Sequence, residues 1–134
     1  MFVDACAIIA LLADEPEAAR ISRALAAASV RVTSPIAVLE TVMALARPDK
    51  FNIGPAAVQP LVLEFLGARD IDIRDLPPAP ETVDLAISAA DRYGTGRRRL
   101  NLGDCLHYAC AKHYRLPILA TAGEFRQTDL ETIP

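Results

Sequence analysis

The chain has 134 residues, of which 52% are hydrophobic and 23% charged, and its formal net charge is -3. This length corresponds to one ordinary domain, and the apolar content is sufficient for a packed core, which excludes an intrinsically disordered chain. The acidic balance argues against a broadly basic nucleic-acid binder, although it leaves room for a local basic patch.

The cysteines and the apolar segments indicate where the protein resides. Its three cysteines, Cys6, Cys105 and Cys110, have no CxxC spacing, so we expect no disulfide scaffold and a reducing cytoplasm. The apolar run Ala5 to Ala13 is nine residues long, far short of a membrane span. We therefore predict a single cytoplasmic domain over residues 1–134, with no membrane segment.

The first half of the chain alternates between short apolar runs and helical patterns. Phe2 and Val3 begin a very short strand that Asp4 ends. The pattern then predicts a helix over Glu17 to Ala28, a strand over Val30 to Thr33, a helix from Pro35 to about Ala46 and another from Pro55 to about Ala68. Ser34 followed by Pro35 is a strong helix start signal, because serine caps and proline fits the first helical position.

The second half continues the alternation. We predict a strand over Asp70 to Arg74, a helix over Glu81 to Tyr93, a loop over Gly94 to Asn101, a helix over Leu102 to His113, a strand over Pro117 to Ala120 and a candidate fifth strand over Leu130 to Ile133. Strands of four or five residues separated by helices indicate a mostly parallel sheet of four to five strands, flanked by helices. The fold class is thus a small doubly wound α/β domain, whose ligands bind at the carboxyl ends of the strands.

Four carboxylates are candidates for a shared site. Asp4 and Glu124 follow predicted strands, Asp104 lies at a predicted helix start, and Glu40 is the only charged residue between Pro35 and Arg47. A lone carboxylate in an apolar helix is costly unless it meets a cation, a metal or a cavity.

Each carboxylate also has a structural explanation. Asp4 is suited to cap the helix that follows, Asp104 to form a capping box with Asn101, and Glu40 and Glu124 to lie in solvent. Gly103, beside Asp104, indicates that another group approaches this helix start closely.

Topology favours the shared site. In a parallel sheet the strand ends and the helix starts lie at one edge, so all four acids can converge in one cleft. Hard oxygen ligands select Mg²⁺ or Mn²⁺, which orient a water nucleophile and neutralise a phosphodiester transition state. Carboxylates held together in this way are also expected to raise the pKa of at least one of them.

The chain resembles the PIN-domain ribonucleases, and more narrowly the VapC-type toxins of bacterial toxin-antitoxin pairs. Four segments carry the resemblance, in the family's order: MFVDACAIIALLADEPEA, TSPIAVLETVMALA, GRRRLNLGDCLHYACAKHYRLPILA and GEFRQTDL. The resemblance implies a Mg²⁺- or Mn²⁺-dependent endoribonuclease that cleaves cellular RNA. It also implies a homodimer that a VapB-type antitoxin neutralises.

The resemblance also assigns roles to the acids. Asp4 and Asp104 would hold the metal, Glu40 would complete the shell or position the attacking water, and Glu124 would act through water. Family members usually have an aspartate where this chain has Glu124, so Asp129 is the alternative for the fourth acid.

A second departure leaves another function open. The family usually has a hydroxyl residue after the first aspartate, whereas this chain has Ala5 and Cys6. The alternative is a degenerate PIN domain that binds RNA or protein without cleavage. Phosphotransfer domains also use aspartates at strand ends, but the acids that they require near Asp4 and after the third strand are missing or only loosely matched.

The densest cationic cluster lies directly before the predicted Asp104 helix. It consists of Arg97, Arg98 and Arg99 in a loop flanked by glycine. Its position predicts contacts with RNA phosphates, and the structural alternative is a solvated loop.

Overall fold

A computed structural model describes residues 1–97, 99–121 and 123–133 of the chain. Five strands, six α-helices and a 3₁₀ helix follow one another along it. In chain order they are β1 (Phe2–Val3), α1 (Ala5–Leu12), α2 (Ala18–Ala27), β2 (Val32–Thr33), α3 (Pro35–Leu45), α4 (Pro55–Ala68), β3 (Asp72–Ile73), α5 (Ala79–Tyr93), α6 (Leu102–Tyr114), β4 (Ile118–Leu119), the 3₁₀ helix (Phe125–Gln127) and β5 (Thr132–Ile133).

The five strands form one parallel sheet in the order β3-β2-β1-β4-β5. Phe2 pairs with Ile118 and Val3 with Leu119, so β1 and β4 are neighbours although most of the chain separates them. The strand order reverses between these two strands, which makes their carboxyl ends the topological switch point. The predicted α/β class with a parallel sheet is confirmed.

Each face of the sheet covers a separate apolar core, as the two-residue period of a strand requires. Val3 and Leu119 pack with residues of α1, α2, α3 and α4 on one face. Phe2, Val32 and Ile118 pack with residues of α5 and α6 on the other. The sheet is therefore buried between helices, and its carboxyl edge is left as the place for a site.

The predicted helix starts are confirmed where the capping residues are local. The hydroxyl of Ser34 accepts a hydrogen bond from the backbone N–H of Ala37, and Pro35 is the first residue of α3. Asn101 caps α6 in the same manner by accepting from the N–H of Asp104. Such side chains satisfy backbone donors that have no partner within the helix.

The strands are shorter than predicted, and one helix has a weak sequence signal. Each strand has two residues rather than four or five, and β1 and β2 stop early because the next residues, Asp4 and Ser34, are already the N-caps of helices. The sequence indicates helix α1 only through the capping role of Asp4, since the residues ACAIIALL are apolar on every side and show no helical period. None of the helices in the described ranges combines the length and the apolar character that crossing a membrane requires.

Candidate active site

Asp4 lies at the centre of the carboxyl edge, where β1 ends and α1 begins. It is the N-cap of α1, and its Oδ2 accepts a hydrogen bond of 3.1 Å from the backbone N–H of Cys6. Only 4% of the residue is exposed. The capping explanation is thus confirmed, but one oxygen suffices for it, and Oδ1 points to a different partner.

That partner is His107, which the sequence pattern did not indicate as a site residue. It lies on α6 with 1% of its surface exposed, and its Nδ1 is 2.6 Å from Oδ1 of Asp4. Its spacing from Asp104 gives a usable signal, because residues three apart lie on the same face of a helix. Its spacing from His113 gives none, since the two histidines lie on different faces of α6.

Glu40 approaches the same ring from α3. Its Oε2 lies 3.2 Å from Nε2 of His107, although the two atoms lack the geometry of a hydrogen bond. Gly103 makes this approach possible, because a Cβ at that position would lie 1.9 Å from Oε1 of Glu40. The close approach predicted at Gly103 is therefore that of the Glu40 carboxylate.

Asp104 has both of the roles that its sequence position suggests. Its Oδ2 accepts a hydrogen bond of 2.8 Å from the N–H of Asn101, which completes a capping box. The same residue lines the cleft that contains Asp4 and Glu40. Within the described part of the chain, Oδ1 of Asp104 has no hydrogen-bond partner, so the capping role leaves one oxygen for a ligand.

Glu124 lies in the same cleft, whereas Asp129 lies elsewhere. The cleft has a volume of about 400 Å³ and is lined by all four predicted acids. Asp129 instead accepts hydrogen bonds from the Tyr108 hydroxyl at 2.7 Å and the Lys112 amine at 3.0 Å. The structure thus brings Asp4, Glu40, Asp104 and Glu124 together, and it favours Glu124 over Asp129 as the fourth acid.

The shared cleft shifts the protonation of its acids. Burial raises the pKa of Glu40, and the charges of Asp4 and Asp104 add to it against the opposing charge of His107. Burial also raises the pKa of Asp104, with further contributions from Asp4 and Glu124. We expect at least one acid of the cleft to have a raised pKa, and both Glu40 and Asp104 have one.

Asp4 and His107 shift in opposite directions and stabilise each other. Burial alone would raise the pKa of Asp4, but the hydrogen bond and the charge of His107 outweigh it and hold that pKa below its ordinary value. Burial likewise opposes the charged form of His107, and the bond to Asp4 with the charges of Asp4 and Glu40 raises the pKa of the ring nevertheless. A buried ion pair of this kind links β1 to α6.

Cys6 is a neutral thiol beside this pair. Its Sγ accepts a hydrogen bond of 3.2 Å from the backbone N–H of Thr121, which ties α1 to the end of β4. Burial, followed by the charge of Asp4, raises the pKa of the Cys6 thiol to about 12. The side chain is therefore protonated near neutral pH and acts neither as a nucleophile nor as a thiolate ligand.

Two residues of the arginine cluster lie on the surface before α6. Arg97 and Arg99 are exposed in the segment between α5 and Asn101, and Arg98 lies outside the described residues. Their role in binding phosphates stays a prediction.

The donor set fits a divalent cation. Asp4, Asp104 and His107 each offer one ligand atom, and these atoms lie within 4.8 Å of one another. Carboxylate oxygens and an imidazole nitrogen are ordinary ligands of divalent metals, and a bound cation would offset the burial and the neighbouring charges that raise the pKa of Glu40 and of Asp104.

Comparison with known proteins places the fold. A model of the PIN domain family matches residues 1–129. Ribonuclease VapC30 of Mycobacterium tuberculosis is 33% identical to this chain, over 99% of this chain and 98% of the relative. Ribonuclease VapC36 of the same organism is 37% identical over 98% and 91%, and the VapC ribonuclease R02377 of Rhizobium meliloti is 34% identical over 96% and 98%.

A solved structure shares the fold. A chain of a toxin-antitoxin complex from Klebsiella pneumoniae superposes with a TM-score of 0.65 at 17% sequence identity, covering 92% of this chain and 88% of that one.

Proposed function

This chain belongs to the PIN domain family, among the VapC ribonucleases, and we propose that it is a metal-dependent endoribonuclease toxin that cleaves cellular RNA. The observation that carries the proposal is the cleft at the switch point, which contains Asp4, Glu40, Asp104 and Glu124. Acids from the ends of two neighbouring strands and from two helices converge there, as a metal-dependent hydrolase requires.

We assign the metal-binding role to Asp4 and Asp104. A capping hydrogen bond fixes the orientation of each carboxylate, and the second oxygen of Asp4 is also held by Nδ1 of His107 at 2.6 Å. A bound Mg²⁺ or Mn²⁺ would neutralise charge on the phosphodiester and lower the pKa of a bound water. The two carboxylates supply the negative charge and the rigid positions that hold such an ion.

Glu40 and Glu124 complete the site. The side chain of Glu40 is 40% exposed and opens to the cleft, and its pKa is raised, so it is suited to hold an attacking water and accept its proton. Glu124 follows β4 and contributes negative charge at Asp104, and we assign it an action through water.

The experiment that tests the proposal measures cleavage of structured RNA by the purified protein. We expect endonucleolytic products with Mg²⁺ or Mn²⁺, no products with EDTA, and loss of cleavage in Glu40→Gln. Cleavage that continues at the wild-type rate in EDTA would refute the metal-dependent mechanism.

The degenerate alternative has one observation in its favour. Ala5 occupies the place of a family hydroxyl, and the neighbouring Cys6 has a neutral thiol beside Asp4. Binding of Mn²⁺ and RNA without cleavage would support this alternative, and restored cleavage in Ala5→Thr would identify the missing hydroxyl as the cause.

Replacing Gly103 by alanine tests the position of the Glu40 carboxylate. The new Cβ would overlap Oε1 of Glu40, and the flexible side chain must turn away. Because small displacements of a positioning group cost about 100-fold in rate, we expect Gly103→Ala to reduce cleavage by about 10- to 100-fold. Thermal melting should show an intact fold, since alanine favours a helix by up to about 1 kcal/mol over glycine. Wild-type cleavage by Gly103→Ala would contradict this role of Gly103.

Replacing Arg97, Arg98 and Arg99 together by alanine tests whether they bind RNA phosphates. Each phosphate interaction that the substitution removes should reduce the slope of log K against log salt by about 0.7 to 0.9, so binding should weaken and depend less on salt. Titrations of labelled RNA at several salt concentrations measure the slope. An unchanged slope would show that these arginines are solvated and do not bind RNA phosphates.

We also propose two protein partners, an antitoxin of the VapB type and a second copy of the chain, in the cytoplasm. An apolar cleft of about 540 Å³ lies between α3 and α4, and Leu39, Leu63 and Ile73 are exposed in its walls. Contiguous exposed apolar side chains of this kind mark a candidate protein interface. We propose the cytoplasm as the compartment because the three cysteines have no CxxC spacing.

A further inference from the structure

His107 has a ring nitrogen that nothing in the described ranges satisfies. Its side chain is 99% buried, and Nε2 has no hydrogen-bond partner there, although Oε2 of Glu40 is 3.2 Å away. A buried polar atom without a partner is costly, and native structures rarely retain one without a reason. The position of this atom among the acids provides the reason.

The opposite ring nitrogen has the partner that a metal-binding histidine requires. Nδ1 lies 2.6 Å from Oδ1 of Asp4, and a carboxylate bonded there fixes the ring and directs the other nitrogen outward. Histidines that bind metals almost always donate their second N–H to a carboxylate or carbonyl. Asp4 thus orients the ring in the manner of a metal site.

Position along α6 brings the ring to the proposed ion. Asp104 and His107 are three residues apart and face the same side of the helix, and Asp4 contacts the ring from the end of β1 through Nδ1. An oxygen of Asp4, an oxygen of Asp104 and a ring nitrogen of His107 lie within 4.8 Å of one another. Nε2, which is 3.2 Å from Oε2 of Glu40, is the ring nitrogen that the bond to Asp4 leaves available. The family resemblance assigns four carboxylates to the site, and it does not assign His107.

We propose that His107 contributes its Nε2 to the metal centre, which makes the centre favour a transition metal of the Mn²⁺, Co²⁺ or Zn²⁺ type over Mg²⁺. The inference rests on the proposed metal site. Mg²⁺ prefers oxygen ligands and retains its water, whereas imidazole suits the later divalent metals. The competing explanation is that the ring is only a cation that offsets the charge of the acids.

The test compares metal affinity in the whole protein and uses no catalytic readout. Wild type, His107→Ala and the control His113→Ala are titrated with Co²⁺, Mn²⁺ and Mg²⁺ by calorimetry. His113 is the matched control because it lies on the same helix and pairs with Glu81 at 3.0 Å, away from the cleft. Electron spin echo spectra of the Mn²⁺-loaded proteins report directly whether nitrogen binds the ion.

We expect His107→Ala to lose about 10- to 100-fold in Co²⁺ affinity, with a smaller loss for Mg²⁺. The ratio of Co²⁺ to Mg²⁺ affinity should fall in His107→Ala and stay at the wild-type value in His113→Ala. The nitrogen modulation of bound Mn²⁺ should be present in wild type and absent from His107→Ala.

Two outcomes would overturn the inference. Equal or tighter Co²⁺ binding by His107→Ala would identify the ring as a counter-ion, and a wild-type spectrum without nitrogen modulation would exclude coordination. A variant that fails to fold is recognised by melting without metal, and the wild-type spectrum then decides alone. Failure of the metal site itself is distinguishable, because wild type would then bind none of the three ions and Asp104→Asn would change nothing.

Discussion

Asp4→Asn is expected to reduce RNA cleavage by at least about 100-fold, because loss of a group that only supports a metal ligand already costs about 10- to 100-fold. Asparagine retains the shape of Asp4 and still caps α1, so the change removes charge rather than the helix start. Initial rates at saturating Mn²⁺ measure the loss, and melting curves of the same preparation measure the fold.

The same substitution should also lower stability. Asp4 is 4% exposed and bonded to His107, and breaking a hydrogen bond to a buried charged group costs about 1.5–3 kcal/mol. The pKa of Asp4 is below its ordinary value, so its ionised form stabilises the fold above the unfolded pKa and loses that contribution as pH falls through the folded value. The difference in unfolding free energy between the two proteins should therefore be full at pH 7 and shrink in acid.

Asp129→Asn is the matched control for Asp4→Asn. It also removes one carboxylate charge, but Asp129 binds Tyr108 and Lys112 outside the cleft, so cleavage should stay at the wild-type rate. Wild-type cleavage by Asp4→Asn, or a large loss in Asp129→Asn, would contradict the assignment of the acids.

The parts of the fold that could be predicted are those with local signals. Two helix starts are predicted correctly, one by Ser34 with Pro35 and one by Asn101 with Asp104. In both helices the capping hydrogen bond joins residues only three positions apart. The length of the strands could not be predicted, because it depends on pairing with strands that are distant in the sequence. Helix α1 could not be predicted from periodicity, because its residues ACAIIALL are all apolar.

The site shows the same division. Convergence of Asp4, Asp104 and Glu124 follows from topology alone, since strand ends and helix starts share one edge. The hydrogen bond between Asp4 and His107 joins residues that are 103 positions apart, and no local sequence pattern predicts it. The sequence shows only the three-residue spacing from Asp104 to His107. This spacing indicates a shared site only when the structure places Asp4 next to His107 and in the cleft with Asp104.

Asp104→Asn is expected to abolish cleavage to a similar extent and yet to melt higher than wild type in EDTA at pH 7. The pKa of Asp104 is raised, first by burial, so its ionised form costs stability above the unfolded pKa. Neutralising it relieves that cost, and each kcal/mol relieved should raise the midpoint by about 4 °C. The amide oxygen of asparagine can still accept from the N–H of Asn101, so the capping box is largely retained.

Adding Mn²⁺ should then raise the midpoint of wild type more than that of Asp104→Asn. An ion that binds only the folded state stabilises it by an amount that grows with the logarithm of the ion concentration divided by Kd, so wild type should gain more than the variant, which lacks one ligand. The opposing loss is the attraction of an acid to the start of α6, worth about 0.3–1 kcal/mol. If capping were the only role of Asp104, the variant would melt lower in EDTA and neither protein would respond to Mn²⁺. Melting curves of the two proteins with EDTA and with Mn²⁺ therefore distinguish a shared acidic cleft from a helix cap. Without metal, Asp4→Asn is expected to lower stability and Asp104→Asn to raise it, so the two carboxylates affect the free energy of unfolding with opposite signs.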